Sequence, residues 1–339
     1  MTKKKKVLLQ SLFLLFLIIG TIVIVKQQRN TPYQHNTGFI FGTIYNVTYQ
    51  YDHDINGEIL QELNKVDASL STFNKTSIIS QINSGKSPTV DDMFADVFTL
   101  AADISKETDG AFDITVAPLV NMWGFGFKHN TMPNSHSVDS IKHFIGYDKV
   151  ALQGRKVVKK DSRVTLDCSA IAKGYGSDVI ARLLKSKGID NFMIEIGGEI
   201  VTKGLSEKRL PWKIGVTKPS DDSLNTNQEI QTVLNVTDKA MATSGNYRNF
   251  YYKGGKKYAH TIDPHSGYPV QHSLLSATVL ANNCATADAY ATAFMVMGIE
   301  KAKIILDKHP ELMAYFIYAD KDGKNAVWYS KSMKGKILE

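Results

Sequence analysis

Apolar and polar positions divide this chain sharply at its start. Val7 to Val25 is apolar except for Gln10, Ser11, Gly20 and Thr21, a run close to the roughly 20 residues with which a helix crosses a bilayer. Beyond a polar stretch the pattern becomes that of a folded domain. Phe39 to Tyr51 alternates, with Ile44, Val47 and Tyr49 among its β-formers, and predicts an opening strand. Ile59, Leu60, Leu63 and Val66 recur at helical spacing and predict a helix over Ile55 to Leu70. Ser77 is placed to cap a short helix through Ile82, and a longer helix is expected from Val90 to Thr108, stopped by Asp109-Gly110. Tyr147 to Leu166 predicts paired strands around Gln153-Gly154, followed by a helix from about Ala170 to Lys187 that ends at Gly188. Phe192 to Ile196, Trp212 to Val216 and Gln231 to Val236 are strand candidates, and Tyr251 to Ile262 is expected to form a hairpin turning at Gly254-Gly255. A strand from Leu274 to Leu280 leads into a helix from Ala285 to Met297, and Met313 to Tyr329 closes the chain as a hairpin around Asp320 to Gly323. Strands and helices mix without strict βαβ alternation, so the expected fold is α+β, with mixed sheets flanked by helices. The Gly-rich fingerprints of P-loop and dinucleotide folds are absent.

At 339 residues and 43% apolar content the chain can bury a large core. No tandem repeat or long Pro/Gly/Ser spacer divides it, so one domain is expected. The formal charge of +7 suggests a basic protein. Lys3, Lys4, Lys5, Lys6, Lys26 and Arg29 supply six of those positives at the start, with no acid among them, and the remainder is close to neutral. This excludes a nucleic-acid binder, whose excess should lie on the folded domain. Four lysines before the apolar run and a Lys/Arg pair after it favour a cytoplasmic amino end with the rest exported. A cleaved signal peptide is the alternative, but no small-x-small site follows the run. The expected organisation is a basic end (1–6), a single-pass anchor (7–25), a linker (26–38) and a globular domain (39–339). Cys168 and Cys284 are expected to be free, buried thiols, since a core of this size does not need a disulfide.

Several constellations carry chemistry. Asp288 and Thr292 lie four apart on a predicted helix, hence on one face. A carboxylate and a hydroxyl so placed suit Mg2+, a hard cation that takes oxygen ligands and retains room for phosphate oxygens; a solvated aspartate and a threonine bonded to its own helix give the same spacing. Asp167 lies where an apolar run ends, and Cys168-Ser169-Ala170 precedes a helix whose first turn holds Lys173. Helix starts attract anions, although an aspartate cap on an ordinary connection reads alike. Gly197-Gly198-Glu199 marks a tight turn. His260-Thr-Ile-Asp263-Pro-His-Ser-Gly267 joins a histidine, the side chain most readily used as a base near neutral pH, to a turn, with Asp263 or Asp288 as candidates to orient it. Thr108 to Gly126 runs through small, aromatic and glycine residues that could wall a flat ligand or form an irregular core-packing segment.

The order and wording of these phrases resemble the ApbE-type flavin transferases, or FAD:protein FMN transferases. The matching phrases are Leu70 to Ser77, Thr108 to Gly126, Leu166 to Gly176, Ile196 to Glu199, Thr243 to Arg248, His260 to Gly267 and Ala287 to Ala293, spanning about Gly42 to Gly298. The resemblance implies an enzyme that binds FAD with Mg2+, cleaves its pyrophosphate, attaches FMN through a phosphoester to a threonine of a target protein, and releases AMP. By position, the side chains of Asp288 and Thr292 and the carbonyl of Ala170 would ligate the metal, and His260 would deprotonate the acceptor. Asp167, Lys173 and the Ala111-Phe112-Asp113 segment would lie against FAD. Phe41 and Phe73 occupy places where the family often has methionine and tyrosine at the flavin, and Phe73 lacks the tyrosine hydroxyl. The implied partners are flavin-carrying subunits of membrane or exported redox complexes, met on the outer side of the cytoplasmic membrane. An FAD pyrophosphatase and a non-catalytic flavin-binding maturation protein are the alternatives.

Overall fold

The computed structural model describes residues 3–126, 133–219, 229–246, 250–253 and 256–338, without the side chains of 27–30, 256 and 257. The expected turn at Gly254-Gly255, and Tyr247 and Arg248 of the matching phrases, lie outside the described residues. The amino-terminal helix α1 (Lys3–Asn30) exposes its large apolar side chains from Val7 to Val25 and is long and apolar enough to cross a membrane.

The domain's elements follow in order: β1 (Tyr33–Ile40), β2 (Thr43–Gln50), α2 (Asn56–Leu70), α3 (Ile78–Asn83), α4 (Asp92–Glu107), α5 (Ala117–Met122), α6 (Ser135–Lys142), β3 (Val150–Gln153) and β4 (Lys156–Lys159). Then come α7 (Ala172–Ser186), β5 (Phe192–Ile196), β6 (Glu199–Lys203), β7 (Lys213–Thr217), β8 (Ile230–Asn235), β9 (Ala240–Gly245), β10 (Phe250–Lys253), β11 (Lys256–Ala259) and β12 (Leu274–Ala281). The chain closes with α8 (Cys284–Met297), α9 (Ile299–Lys308), β13 (Met313–Ala319), β14 (Asn325–Tyr329) and β15 (Ile337–Leu338). The expected α+β class holds: the main sheet has eight antiparallel strands in the order β1-β2-β5-β6-β9-β12-β13-β14, and a smaller sheet runs β15-β8-β7.

Three expectations need correcting. The opening strand is a hairpin, because Phe41 and Gly42 both take positive φ (52° and 75°) and turn the chain between β1 and β2. Of the expected linker 26–38, Lys26 to Asn30 continue α1 and Tyr33 to Gly38 belong to β1, where pairing with β2 supplies the order that composition alone does not suggest. Tyr147 to Leu166 is sheet only at β3 and β4; the approach to Asp167 is extended but unpaired in a sheet, and its register is set by Asn83, which bonds both the N–H and the carbonyl of Leu166.

The central strands β6 and β12 are buried along nearly their whole length rather than alternately, because both faces of the sheet are covered. Helices α2, α4, α7 and α8 cover one face, and the small sheet covers the other through Ile200, Val216, Leu234 and Met241. Helix α8 is buried on every side, and its alanines at 285, 287, 289, 291 and 293 let neighbours approach closely. Its start is fixed twice: Asn283 accepts from the N–H of Thr286, and Asp178 of α7 accepts from the N–H groups of Cys284 and Ala285, both at 2.8 Å. Gly174 permits the α7–α8 crossing, since a Cβ there would meet the Cys284 carbonyl oxygen at 2.5 Å. Cys168 and Cys284 are buried free thiols.

Burial pushes the Asp178 carboxyl up from 3.8 to about 6 despite those two N–H groups. The folded state therefore holds its proton more tightly than the unfolded chain, and Asp178's contribution to stability falls as pH rises from about 4 through about 6. An amide in its place does not titrate, so urea denaturation should show the Asp178→Asn variant gaining about 2–3 kcal/mol on the wild type between pH 4 and pH 7; a constant difference would contradict this role.

Candidate active site

One end of the central strands opens into a cavity of about 420 Å³. Its floor is the α7–α8 crossing and its sides come from segments distant in sequence. Ala111, Phe112, Asp113 and Ile114 enter from the α4–α5 connection, Asp167, Ser169 and Ala170 from the approach to α7, and Gly197 and Glu199 from the β5–β6 turn. Thr243, Ser244 and Gly245 end β9, His260 follows β11, and Asp288, Thr292 and Val296 project from successive turns of α8.

Nine of the eleven residues expected at the site meet here: Ala111, Phe112, Asp113, Asp167, Ala170, Lys173, His260, Asp288 and Thr292. Phe41 and Phe73 do not line the cavity. Phe41 packs against α7, where a Cβ on Gly176 would meet its ring at 2.7 Å, and Phe73 is 73% exposed. Their assignment as flavin contacts rests on the resemblance alone.

The electrostatic centre is Lys173, whose Nζ donates to Oε1 of Glu199 at 2.6 Å. Asp288, 4% exposed, accepts from the Gly174 N–H at 3.2 Å. Burial raises the carboxyls of Glu199 and Asp288 above the ordinary range; the charge of Asp288 adds to the rise at Glu199, and Lys173 partly offsets both. Burial alone would lower the lysine, but the two carboxylates outweigh it and hold its pKa up. Two buried carboxyls thus share one ammonium, so ionising both at once is costly and a proton is retained between them. The hydroxyl of Thr292 meets Ser244 Oγ at 3.1 Å.

Other expected residues have structural duties as well. Asp113 accepts from the backbone N–H and the hydroxyl of Thr115, and burial raises its carboxyl. Asp167 receives the N–H and hydroxyl of Ser169, while its own N–H donates to the Ile114 carbonyl, tying two cavity segments together. Phe125 presents its edge to His260 (centroids 6.4 Å apart) and stacks on Tyr251, while Trp123 stacks on Tyr258 and donates to the Gly267 carbonyl. Of the aromatic residues in the Thr108–Gly126 segment Phe112 lines the cavity, while Trp123 and Phe125 pack in a hydrophobic cluster beside it. Asp263, one candidate to orient His260, has its carboxylate on the N–H groups of His265 and Ser266, where it closes its own turn.

Among the described residues no group of three or more His, Cys, Asp or Glu is placed to hold a metal. The set expected here is different: one carboxylate, one hydroxyl and one backbone carbonyl. It fits a hard divalent cation, because all three donors are oxygen and all three residues line the same cavity.

The geometry agrees with comparison to known proteins. The ApbE family model matches residues 41–316. An FAD:protein FMN transferase of Vibrio cholerae is 38% identical over 296 residues, covering 82% of this chain and 86% of its own, and that of Escherichia coli is 33% identical over 294 residues, covering 84% and 82%. Among solved structures, the flavin transferase ApbE from Vibrio cholerae superposes with a TM-score of 0.81 at 35% identity, covering 90% of this chain and all of that one, and the ApbE protein of Thermotoga maritima gives 0.78 at 27%, covering 91% and 100%. The chain belongs to the ApbE family.

The crossing that builds the site is tight, so Gly174→Ala should overpack it and cost about 1–3 kcal/mol in urea denaturation. An unchanged midpoint would show that α7 and α8 do not approach as closely as described.

Proposed function

We propose that this protein is a membrane-anchored, Mg2+-dependent enzyme that transfers FMN from FAD to a threonine hydroxyl of target flavoproteins and releases AMP. The observation that carries the reading is the convergence of Lys173, Asp288, Thr292, Ala170 and His260 on one cavity. The names borne by its relatives point to the same reaction class.

Asp288, Thr292 and the Ala170 carbonyl would hold the magnesium, whose charge would neutralise pyrophosphate oxygens and lower the repulsion toward an incoming oxygen. Lys173 binds the same pyrophosphate as a point charge held in place by Glu199. His260 takes the proton from the acceptor threonine, whose oxygen then bonds to the phosphorus of the FMN half. The bond from that phosphorus to the bridging oxygen breaks, and AMP leaves with its electron pair. The proton on His260 returns to the leaving phosphate or to solvent. Positioning of donor and acceptor in one walled site supplies much of the remaining rate. Asp167 and the Ala111 to Asp113 segment shape the FAD-facing wall.

In this reading α1 anchors the enzyme in the cytoplasmic membrane, and the four lysines at its start keep the amino end inside. The domain then meets flavin-carrying subunits of exported or membrane redox complexes on the outer side. Water in place of the threonine would give FMN and AMP, which makes FAD hydrolysis the neighbouring reading.

Incubating the full-length protein in detergent with FAD, Mg2+ and a candidate acceptor should give an FMN mass adduct on the acceptor and an equal yield of AMP. AMP and free FMN at the same rate without acceptor would favour the hydrolase. Asp288→Ala should abolish metal-dependent turnover, and His260→Ala should slow transfer by about 100-fold or more. Undiminished transfer by Asp288→Ala would remove the proposed metal site.

A further inference from the structure

The β5–β6 turn brings a carboxylate into the cavity that the proposed chemistry uses only in part. Glu199 is 4% exposed and lines the cavity beside Lys173. Its Oε1 receives the Lys173 ammonium at 2.6 Å, whereas Oε2 is sealed from solvent without a hydrogen-bond partner. Among the described residues the one other buried side-chain polar atom left in this way is Ser276 Oγ, which does not line the cavity. A buried oxygen without a donor costs the fold free energy, and such groups in native proteins call for an explanation, a ligand among them.

Glu199 is also held firmly. Gly197 and Gly198 take φ of 65° and 105° between paired Ile196 and Glu199, a two-residue turn whose geometry demands positive φ at both places. A Cβ on Gly197 would meet the Thr43 side chain at 2.8 Å, so the turn is also packed against β2.

We infer that Glu199 is a substrate-binding residue: one oxygen positions Lys173, and the other accepts a hydrogen bond from a hydroxyl of the bound dinucleotide. This deepens the FAD reading above and rests on it. An ammonium that binds pyrophosphate places its carboxylate partner next to the phosphates, and in FAD sugar and ribityl hydroxyls lie a few bonds from the phosphates on both sides. A carboxylate oxygen there would repel phosphate but receives a hydroxyl hydrogen well. The residue thereby discriminates for a hydroxyl-bearing diphosphate over a bare one.

The test compares full-length wild type, Glu199→Gln and Glu199→Ala in detergent. Binding of FAD is read by flavin fluorescence with chelator present, binding of inorganic pyrophosphate by its competition with FAD, and binding of Mn2+ alone by electron paramagnetic resonance. Thermal midpoints establish that the variants fold. Glu199→Gln keeps an oxygen for Lys173 but puts an NH2 donor where the accepting oxygen stood, so its affinity for FAD should fall about tenfold while pyrophosphate binding changes less than about threefold and Mn2+ binding is unchanged. Glu199→Ala should weaken both ligands, since Lys173 then loses its anchor. Equal losses of FAD and pyrophosphate in Glu199→Gln would overturn the hydroxyl contact and reduce Glu199 to holding the lysine. Loss of Mn2+ binding with FAD affinity intact would overturn it in favour of a metal role. FAD affinity unchanged in both variants would overturn it outright with the FAD reading intact, whereas a wild type that binds no FAD would sink both.

Discussion

The site depends on one constraint, the close crossing of α7 and α8 with Lys173 on one helix and Asp288 on the other. That crossing exists because Gly174 has no side chain and because Asp178 ties the first N–H groups of α8 to α7. It brings the partly exposed Lys173 ammonium against two buried carboxyls, those of Glu199 and Asp288. Charges so buried are costly, and burial accordingly raises both carboxyls. Two carboxyls that resist ionisation beside one lysine at the bottom of an open cavity would give up their proton readily to an arriving cation, which is what the proposed function asks of them.

The rest of the architecture serves that corner. The eight-stranded sheet carries α7 and α8 on one face, and the small sheet buries the other, so the strands that end at the cavity are held from both sides. Phe125 packs against His260 and stacks on Tyr251 of β10, while the titratable groups Lys173 and Asp288 lie on the helix side. The cavity thus has titratable groups at its floor and Ala111, Phe112, Ile114, Val116 and Val120 on a more apolar side.

Much of this is legible in the sequence, for identifiable reasons. The Asp288/Thr292 spacing, the Ser77 cap and the Asp109-Gly110 stop are local signals, and local signals survive without a partner. The convergence of Asp167, Lys173, His260 and Asp288 is not local; only the family resemblance brings those residues together in advance. Strands β6 and β9 escape the hydrophobic pattern because they are buried with little alternation and β9 is made of small residues. The β1–β2 hairpin looks like one strand because its turn uses Phe41, an unusual residue at positive φ. Glu199 registers only as part of a turn, since its partner Lys173 lies 26 positions away. Asp178 stands just beyond a matching phrase, and nothing in one dimension shows that it caps a helix beginning 106 residues further on.

The central claim, that the metal and the pyrophosphate meet at Asp288 and Lys173, is most directly tested by phosphorus NMR of FAD bound to the protein with Mn2+ in place of Mg2+. The paramagnetic ion should broaden both phosphorus signals beyond detection in the wild type and leave them sharp in Asp288→Ala with FAD still bound. Sharp signals from FAD on the wild type, with Mn2+ bound to the same molecules, would contradict the account.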